Sequence, residues 1–318
     1  MVIVCHLKMT RGGQQVVKVK ISDDVEIYLD QTLMYQLDTL VYNINKDWDF
    51  IVIVTGDRMV RTGKSVIAMN IAAYLAYRLK TPFSIKNIHF ESKDMIDFAQ
   101  DAPTNSVVVY DEGREGLAAS KTAKSIQKDL LDYFAECGQL NHIFIVVLPD
   151  FFELKENIAV GRSEYLVNVW RREENVMREM YNDGTRRPVV AFRRGYFEFF
   201  SKKKKQFLYD LSRSTKKKTY QLIKPNFKGR FTNYYPIDEA EYRLKKKEAL
   251  ARFKEKKAEE LKNTKAVDPR MLNAIKGEHE GGASTSYLAN KYSVAERTMR
   301  GWLKQMRDGE IFENEKTD

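Results

Sequence analysis

DFIVIVTGDRMVRTGKSVIAMNIAA, residues Asp49–Ala73, is the stretch whose reading decides the fold. Ile51 to Val54 are continuously apolar and β-branched, the pattern of a strand buried on both faces. A loop follows, then Gly63-Lys64-Ser65, then apolar residues at Ile67, Ala68, Ile71, Ala72 and Leu75 in helical spacing. Strand, loop, GKS and helix in that order are the setting a phosphate-binding loop requires. Loop N–H groups and a helix N-terminus form an anion cradle, a lysine reaches the terminal phosphates, and a hydroxyl supplies oxygen to Mg²⁺. Gly56, Arg61, Thr62, Gly63, Lys64, Ser65 and Val66 are the residues expected to contact ATP. Arg58 stands where such loops usually carry their first glycine, and Gly56 is the nearest replacement. A chance GKS at an ordinary helix start is the bland alternative.

A second stretch argues against chance. In Ser106–Gly113, SVVVYDEG, a short buried strand ends on Asp111-Glu112. The C-terminal ends of parallel strands line the ligand crevice, where the phosphate loop also opens. Asp111, with Ser65, is expected to hold Mg²⁺, and Glu112 to polarise the attacking water. IFIVVL at Ile143–Leu148 reads as a further buried strand. Asp150 after it is either a polar group near the γ-phosphate or part of a Pro-Asp turn.

The 318 residues carry 54 Lys/Arg against 44 Asp/Glu, a formal charge of +10. Ser201–Lys265 alone holds 21 basic and 8 acidic residues, so the excess sits in one segment and the rest is near neutral. Such a segment suits nucleic acid, or is a solvated charged helix. Two cysteines make no disulfide framework and imply a reducing compartment, and four scattered histidines have no zinc spacing. MVIVCHLKMTR is too short an apolar run for a signal peptide, and no stretch is long enough to span a membrane. A cytoplasmic or virion-associated location is expected.

Around the two motifs, VVKVKI at Val16–Ile21 predicts an edge strand. Leu33, Leu37, Leu40, Val41 and Ile44 predict an amphipathic helix starting near Asp30. Ile85–Phe90 predicts a strand, Ser92–Gln100 a helix, Ser120–Gly138 a helix and Tyr165–Trp170 a strand. Arg171–Leu211 predicts short hairpins, with Lys202–Lys205 and Lys216–Lys218 in or beside them. Aromatics at Phe207, Tyr209, Tyr220, Phe227 and Phe231 either stack bases or are buried. Glu239–Lys262 predicts a solvent-exposed helical connector. Pro269–Glu310 predicts three helices around Leu288, Val294, Met299 and Trp302, with Ala289 at a close crossing. That tail resembles a DNA-binding helix-turn-helix, which would place Arg297, Thr298, Arg300 and Lys304 on DNA. A three-helix protein-interaction module is the other reading.

With TGDRMVRTGKS, VVVYDEG and the stretch from IFIVVLP through FFEL to Arg162 placed, Asp49–Phe200 resembles the additional-strand P-loop ATPases. It is most similar to the FtsK–HerA motors and the zonular-occludens-toxin-like ATPases of viruses and mobile elements. The resemblance implies an oligomeric, ring-forming ATPase that moves DNA. It also implies an arginine acting across a subunit boundary; Gly138-Gln139 occupy its usual place, which leaves Arg162, with Arg171 the alternative, and an ordinary surface ion pair is the bland reading of Arg162.

The expectation is thus an α/β protein with a mainly parallel P-loop NTPase core, a β-rich extension and a small all-α helix-turn-helix domain. Its parts are 1–48 (strand and helix on the core), 49–200 (ATPase core), 201–265 (basic hairpin extension and connector) and 266–318 (DNA-binding domain). A DNA-associated ATP hydrolase is the reading carried forward. An ATP-switched DNA-binding regulator and a non-hydrolysing DNA-binding assembly protein are its rivals.

Overall fold

The computed structural model describes residues 5–6, 16–22, 25–56, 61–111, 133–134, 140–180, 186–265 and 269–307. The expected helix at Ser120–Gly138 and the residues Glu112, Gly138 and Gln139 fall outside these, apart from Tyr133 and Phe134. The chain divides into two compact units, Met1–Lys247 and Glu248–Asp318.

The first unit is α/β. Three strands, β1 (Cys5–His6), β2 (Val16–Lys20) and β3 (Glu26–Asp30), make a small antiparallel sheet in that order. The VVKVKI strand is therefore central in that sheet rather than an edge. Its alternation reflects one covered face, with Val17 and Val19 buried. Asp30 ends β3 and caps helix α1 (Gln31–Ile44), its Oδ1 accepting from the backbone N–H of Thr32 and Leu33 at 2.9 and 3.2 Å. All five apolar positions expected to face inward on α1 are buried.

The main sheet has seven strands: β4 (Phe50–Gly56), β5 (Ile88–His89), β6 (Val107–Asp111), β7 (Ile143–Val147), β8 (Ser163–Met180), β9 (Arg186–Phe200) and β10 (Phe227–Arg230). Their order is β10-β9-β8-β4-β7-β6-β5. The run β8-β4-β7-β6-β5 is parallel, and β9 and β10 add antiparallel strands at one edge. Every residue of β4, β6 and β7 is buried, as their unbroken apolar runs require. Val54 pairs with Val147, and Val147 with Asp111, so β7 lies between the strands carrying the two motifs. The expected strand at Ile85–Phe90 shrinks to two residues after a 3₁₀ turn at Ile85–Asn87. Helix α2 (Lys64–Leu79) is buried along most of its length, and α3 (Ser92–Asp101) follows β5.

Beyond Phe200 the hairpin expectation is wrong. Lys202–Thr215 is a helix, α4, and the Lys216–Lys218 run follows its C-terminus. Leu208, Tyr209 and Ser212 give α4 a buried stripe at helical spacing, which alternation could not supply. Lys205 lies in the same stripe, fully buried. It donates to the carbonyls of Ala159 and Ser163, at 2.7 and 2.5 Å, and to the Ser163 hydroxyl. Of the interleaved aromatics, Tyr209 and Phe231 are buried while Phe207 is exposed.

Burial pushes the Lys205 ammonium down to about 7. Its folded pKa thus lies below the unfolded value, so the unfolded chain holds the extra proton between about pH 7 and the ordinary lysine value. Stability should rise with pH across that window by up to about 1.4 kcal/mol per unit from this group. Urea melts of the parent and of Lys205→Met at pH 7 and 9 check this: their stability difference should shift in favour of the parent at the higher pH. A pH-independent difference would assign Lys205 an unshifted charge.

Helix α5 (Glu239–Lys265) is not the wholly exposed connector expected, because Tyr242 near its start is 4% exposed. In the second unit, α6 (Pro269–Glu280), α7 (Thr285–Lys291) and α8 (Glu296–Arg307) enclose Leu272, Ile275, Leu288, Ala289, Met299 and Met306. Val294 and Trp302 pack against this core. Ser293, in the turn before α8, has φ +53°, the left-handed geometry that usually selects glycine there. Among the described residues no helix is long and apolar enough to cross a membrane.

Candidate functional site

The C-terminal ends of β4 and β6 and the N-terminus of α2 meet at one place. Gly56 closes β4; Arg61 and Gly63 are left-handed, with φ +61° and +101°; Lys64 opens α2. The N-cap of α2, Gly63, makes no side-chain cap hydrogen bond, and the first-turn N–H groups of an α-helix have no carbonyl within the helix to pair with. Lys64 folds back along the loop. Its Nζ reaches Thr62 Oγ1 at 3.5 Å, and a Cβ built on Gly56 would lie 3.1 and 3.2 Å from Lys64 Cδ and Nζ. Glycine at position 56 therefore leaves the room in which the lysine lies. Val66, one turn into the helix, is buried.

Ser65 Oγ donates to Asp111 Oδ1 at 3.1 Å, joining residues 46 apart in sequence. Asp111 is 2% exposed. A hydroxyl and a carboxylate oxygen side by side are a donor set suited to a hard divalent cation. With the uncapped helix N-terminus and Lys64, these residues fit Mg²⁺ and a polyphosphate. Glu112, the next residue, is outside the described residues.

Four residues that the sequence reading did not assign to this site complete the surroundings. The Tyr242 hydroxyl donates to Asp111 Oδ2, and Lys246 Nζ lies 3.1 Å from the same oxygen. Burial and the Asp111 charge together raise the Tyr242 phenol well above its ordinary value, so it stays a donor. Lys245 anchors this part of α5 by donating to the carbonyls of Ile85 and Ile88 at 2.9 and 2.6 Å. The fourth is Phe231, whose buried ring lies against the loop; a Cβ built on Gly63 would sit 3.0 Å from it. The sequence signal for this part of α5 is Tyr242 itself, an aromatic four residues before Lys246 in a helix dense in charge. The dense charge around it hides that signal.

Other expected site residues lie elsewhere. Arg162 NH2 pairs with Asp49 Oδ2 at 3.0 Å, where β4 begins. Gly56 closes the opposite end of that strand, some 23 Å away at a rise of about 3.3 Å per residue. Within one chain Arg162 cannot reach Lys64. Arg171 lies over the Phe192 ring at 3.9 Å. Asp150 accepts from the Phe152 N–H at 3.1 Å and caps a 3₁₀ turn, which matches the turn reading. In the second unit Arg297, Arg300 and Lys304 are exposed and share one face of α8, with Thr298 exposed beside them.

No protein-family model matches the chain, and no curated protein matches it significantly. The functional reading therefore rests on the geometry and chemistry of these residues.

Proposed function

We propose that the first unit is a P-loop ATP hydrolase and that the protein couples this activity to DNA, as an oligomeric motor for packaging or transfer. The observation that carries the reading is the Ser65–Asp111 hydrogen bond. It brings a GKS serine at a helix N-terminus onto a carboxylate at the end of a strand separated from β4 by one added strand. In this reading Ser65 and Asp111 hold Mg²⁺, which supplies charge neutralisation at the β- and γ-phosphates. Lys64 and the first-turn N–H groups of α2 stabilise negative charge on the transferred phosphoryl, and Glu112 orients the attacking water. Arg162 would act only from a neighbouring copy, which makes its role conditional on a ring. Arg297, Thr298, Arg300 and Lys304 would contact DNA from α8, the last helix of a helix-turn-helix.

Phosphate release measured with and without duplex DNA tests this directly. Many turnovers per chain, faster with DNA, are expected. No Mg²⁺-dependent release under either condition would sink the hydrolase and leave the non-hydrolysing assembly protein.

The contacts on Asp111 Oδ2 favour a gated enzyme. Lys246 and Mg²⁺ are both cations directed at one carboxylate, so the ion pair opposes metal binding. Lys246→Met is expected to tighten Mn²⁺ binding in the presence of ADP by about tenfold, the equivalent of one interaction of about 1.4 kcal/mol. Electron paramagnetic resonance of free Mn²⁺ reads this without any turnover. Unchanged or weaker binding would show that Lys246 does not compete.

A further inference from the structure

Strands β8 and β9 run on past the sheet they belong to. β4 accompanies β8 only as far as Gly56 opposite Val169, and β10 accompanies β9 only as far as Arg230 opposite Tyr196. Beyond those points, to Met180 and back from Arg186, the two strands pair with each other and with no other described strand. Residues 170–180 alone extend about 35 Å at a strand's usual rise. Register shifts fall between Trp170 and Arg172, where the ribbon departs, and again between Asn175 and Met177. Bulges of this kind bend a ribbon and increase its twist. A lone two-stranded ribbon is only marginally stable in water, so one of this length calls for a partner.

Its chemistry says which partner. Residues 170–195 contain seven arginines, four acidic residues and no lysine. Ser201–Lys265, the other basic segment, has 17 lysines and 4 arginines. Both segments are cationic, but only the ribbon is built from the planar fork that meets phosphate oxygens bidentately. Near its base Arg172, Arg193 and Arg194 are exposed, and Phe192 and Val190 are 54% and 43% exposed. Glu174 accepts from Arg193 at 3.1 Å, with Arg172 Nε 3.6 Å from its other oxygen, so one carboxylate is shared by two guanidinium groups. Arg171 covers one face of Phe192. The surface is thus cationic with apolar points between the charges, which fits phosphates flanking base edges better than a second protein surface.

We propose that this ribbon is a duplex DNA-binding arm that lies in the major groove, with Arg171, Arg172, Arg193 and Arg194 on the flanking phosphates. A major groove about 12 Å wide admits a two-stranded ribbon, and about 35 Å is close to one helical turn. The inference rests on the nucleic-acid half of the proposed function and is independent of ATP hydrolysis.

The test uses the full chain, a 30-base-pair duplex and a matching single strand, with affinity measured across a salt series. In one variant Arg171, Arg172, Arg193 and Arg194 become Gln; in a second Arg297, Arg300 and Lys304 become Gln. The ribbon variant is expected to lose about 3.6 from the slope of log affinity against log salt, at roughly 0.9 for each of four phosphate contacts. Its low-salt affinity should fall on the order of 100-fold, while its far-UV circular dichroism and thermal midpoint stay those of the parent. Should that variant fail to fold, the pairs Arg171→Gln/Arg172→Gln and Arg193→Gln/Arg194→Gln should each lose about half as much slope. A photo-crosslinking residue at Val190 should form adducts with the duplex. An unchanged slope in the folded ribbon variant, with binding lost in the second, would overturn the arm and keep the nucleic-acid reading. Full slopes in both variants would overturn both. Loss of self-association at unchanged duplex affinity would make the ribbon a subunit contact instead, and adducts with the single strand alone would overturn duplex binding.

Discussion

Replacing Lys64 with alanine is expected to lower ATP turnover on the order of a thousandfold or more and to weaken nucleotide binding. The side chain lies along Gly56 at the mouth of the α2 N-terminus, and Thr62 is its neighbour in the loop. Loss of one preorganised group facing developing charge costs about 10²–10³ in rate, and lysine here also supplies ground-state attraction for the phosphates. Lys246 is tied to Asp111 and Lys245 to backbone carbonyls, so neither substitutes without giving up that contact. Glu112→Gln makes the complementary case: ATP binding retained, with release of phosphate stopped. The pair is read by equilibrium binding of a fluorescent ATP analogue and by steady-state phosphate release. Parent-like hydrolysis in both variants would remove the site from this end of the sheet.

The largest structural effect is expected from Gly195→Ala. Gly195 sits at φ +91°, in the bulge where β9 leaves the sheet. A Cβ there would be 2.5 Å from the Phe231 carbonyl oxygen, and the Gly195 carbonyl accepts the Phe231 N–H at 2.9 Å. Backbone strain at such a φ adds about 1–2 kcal/mol to an overlap that only movement of the Phe231 backbone relieves. A combined loss of about 3 kcal/mol is expected, at the upper end for a single methyl group in packed surroundings. The Phe231 ring lies against Gly63, so nucleotide affinity should fall together with stability. Chemical denaturation and nucleotide titration of the same preparation measure both. A parent-like midpoint would mean that β10 shifts freely, and an unchanged affinity would separate Phe231 from the phosphate loop.

Much of the first unit was legible because its signals are local. Unbroken β-branched runs identify β4, β6 and β7, since a strand covered on both faces has no polar side to show. Helical spacing found α1, α2 and α3, and the aspartate beginning α1 acts as its cap. The core of the second unit was readable for the same reason, with Leu288, Ala289 and Met299 buried as expected. Of the candidate site, Gly56, Thr62, Gly63, Lys64, Ser65 and Asp111 were named from order and spacing alone.

Local signals failed where burial was decided by distant chain. Lys202–Lys205 reads as surface charge, yet carbonyls of Ala159 and Ser163 accept from Lys205 and bury it. The same holds at the site, where Tyr242 meets a carboxylate 131 residues earlier. The order and spacing of residues identified β4, β6 and β7 and the starts of α1 and α2, because periodicity acts between near neighbours, and the positions of Ser65 and Asp111 at a helix start and a strand end named them as a pair. Only the tertiary structure decided what surrounds that pair: Tyr242 and Lys246 on Asp111, Phe231 against Gly63, and an arginine ribbon extending beyond its sheet. Those contacts depend on where separate segments pack, and a charged helix carries nearly the same local pattern whether one turn of it is buried or none.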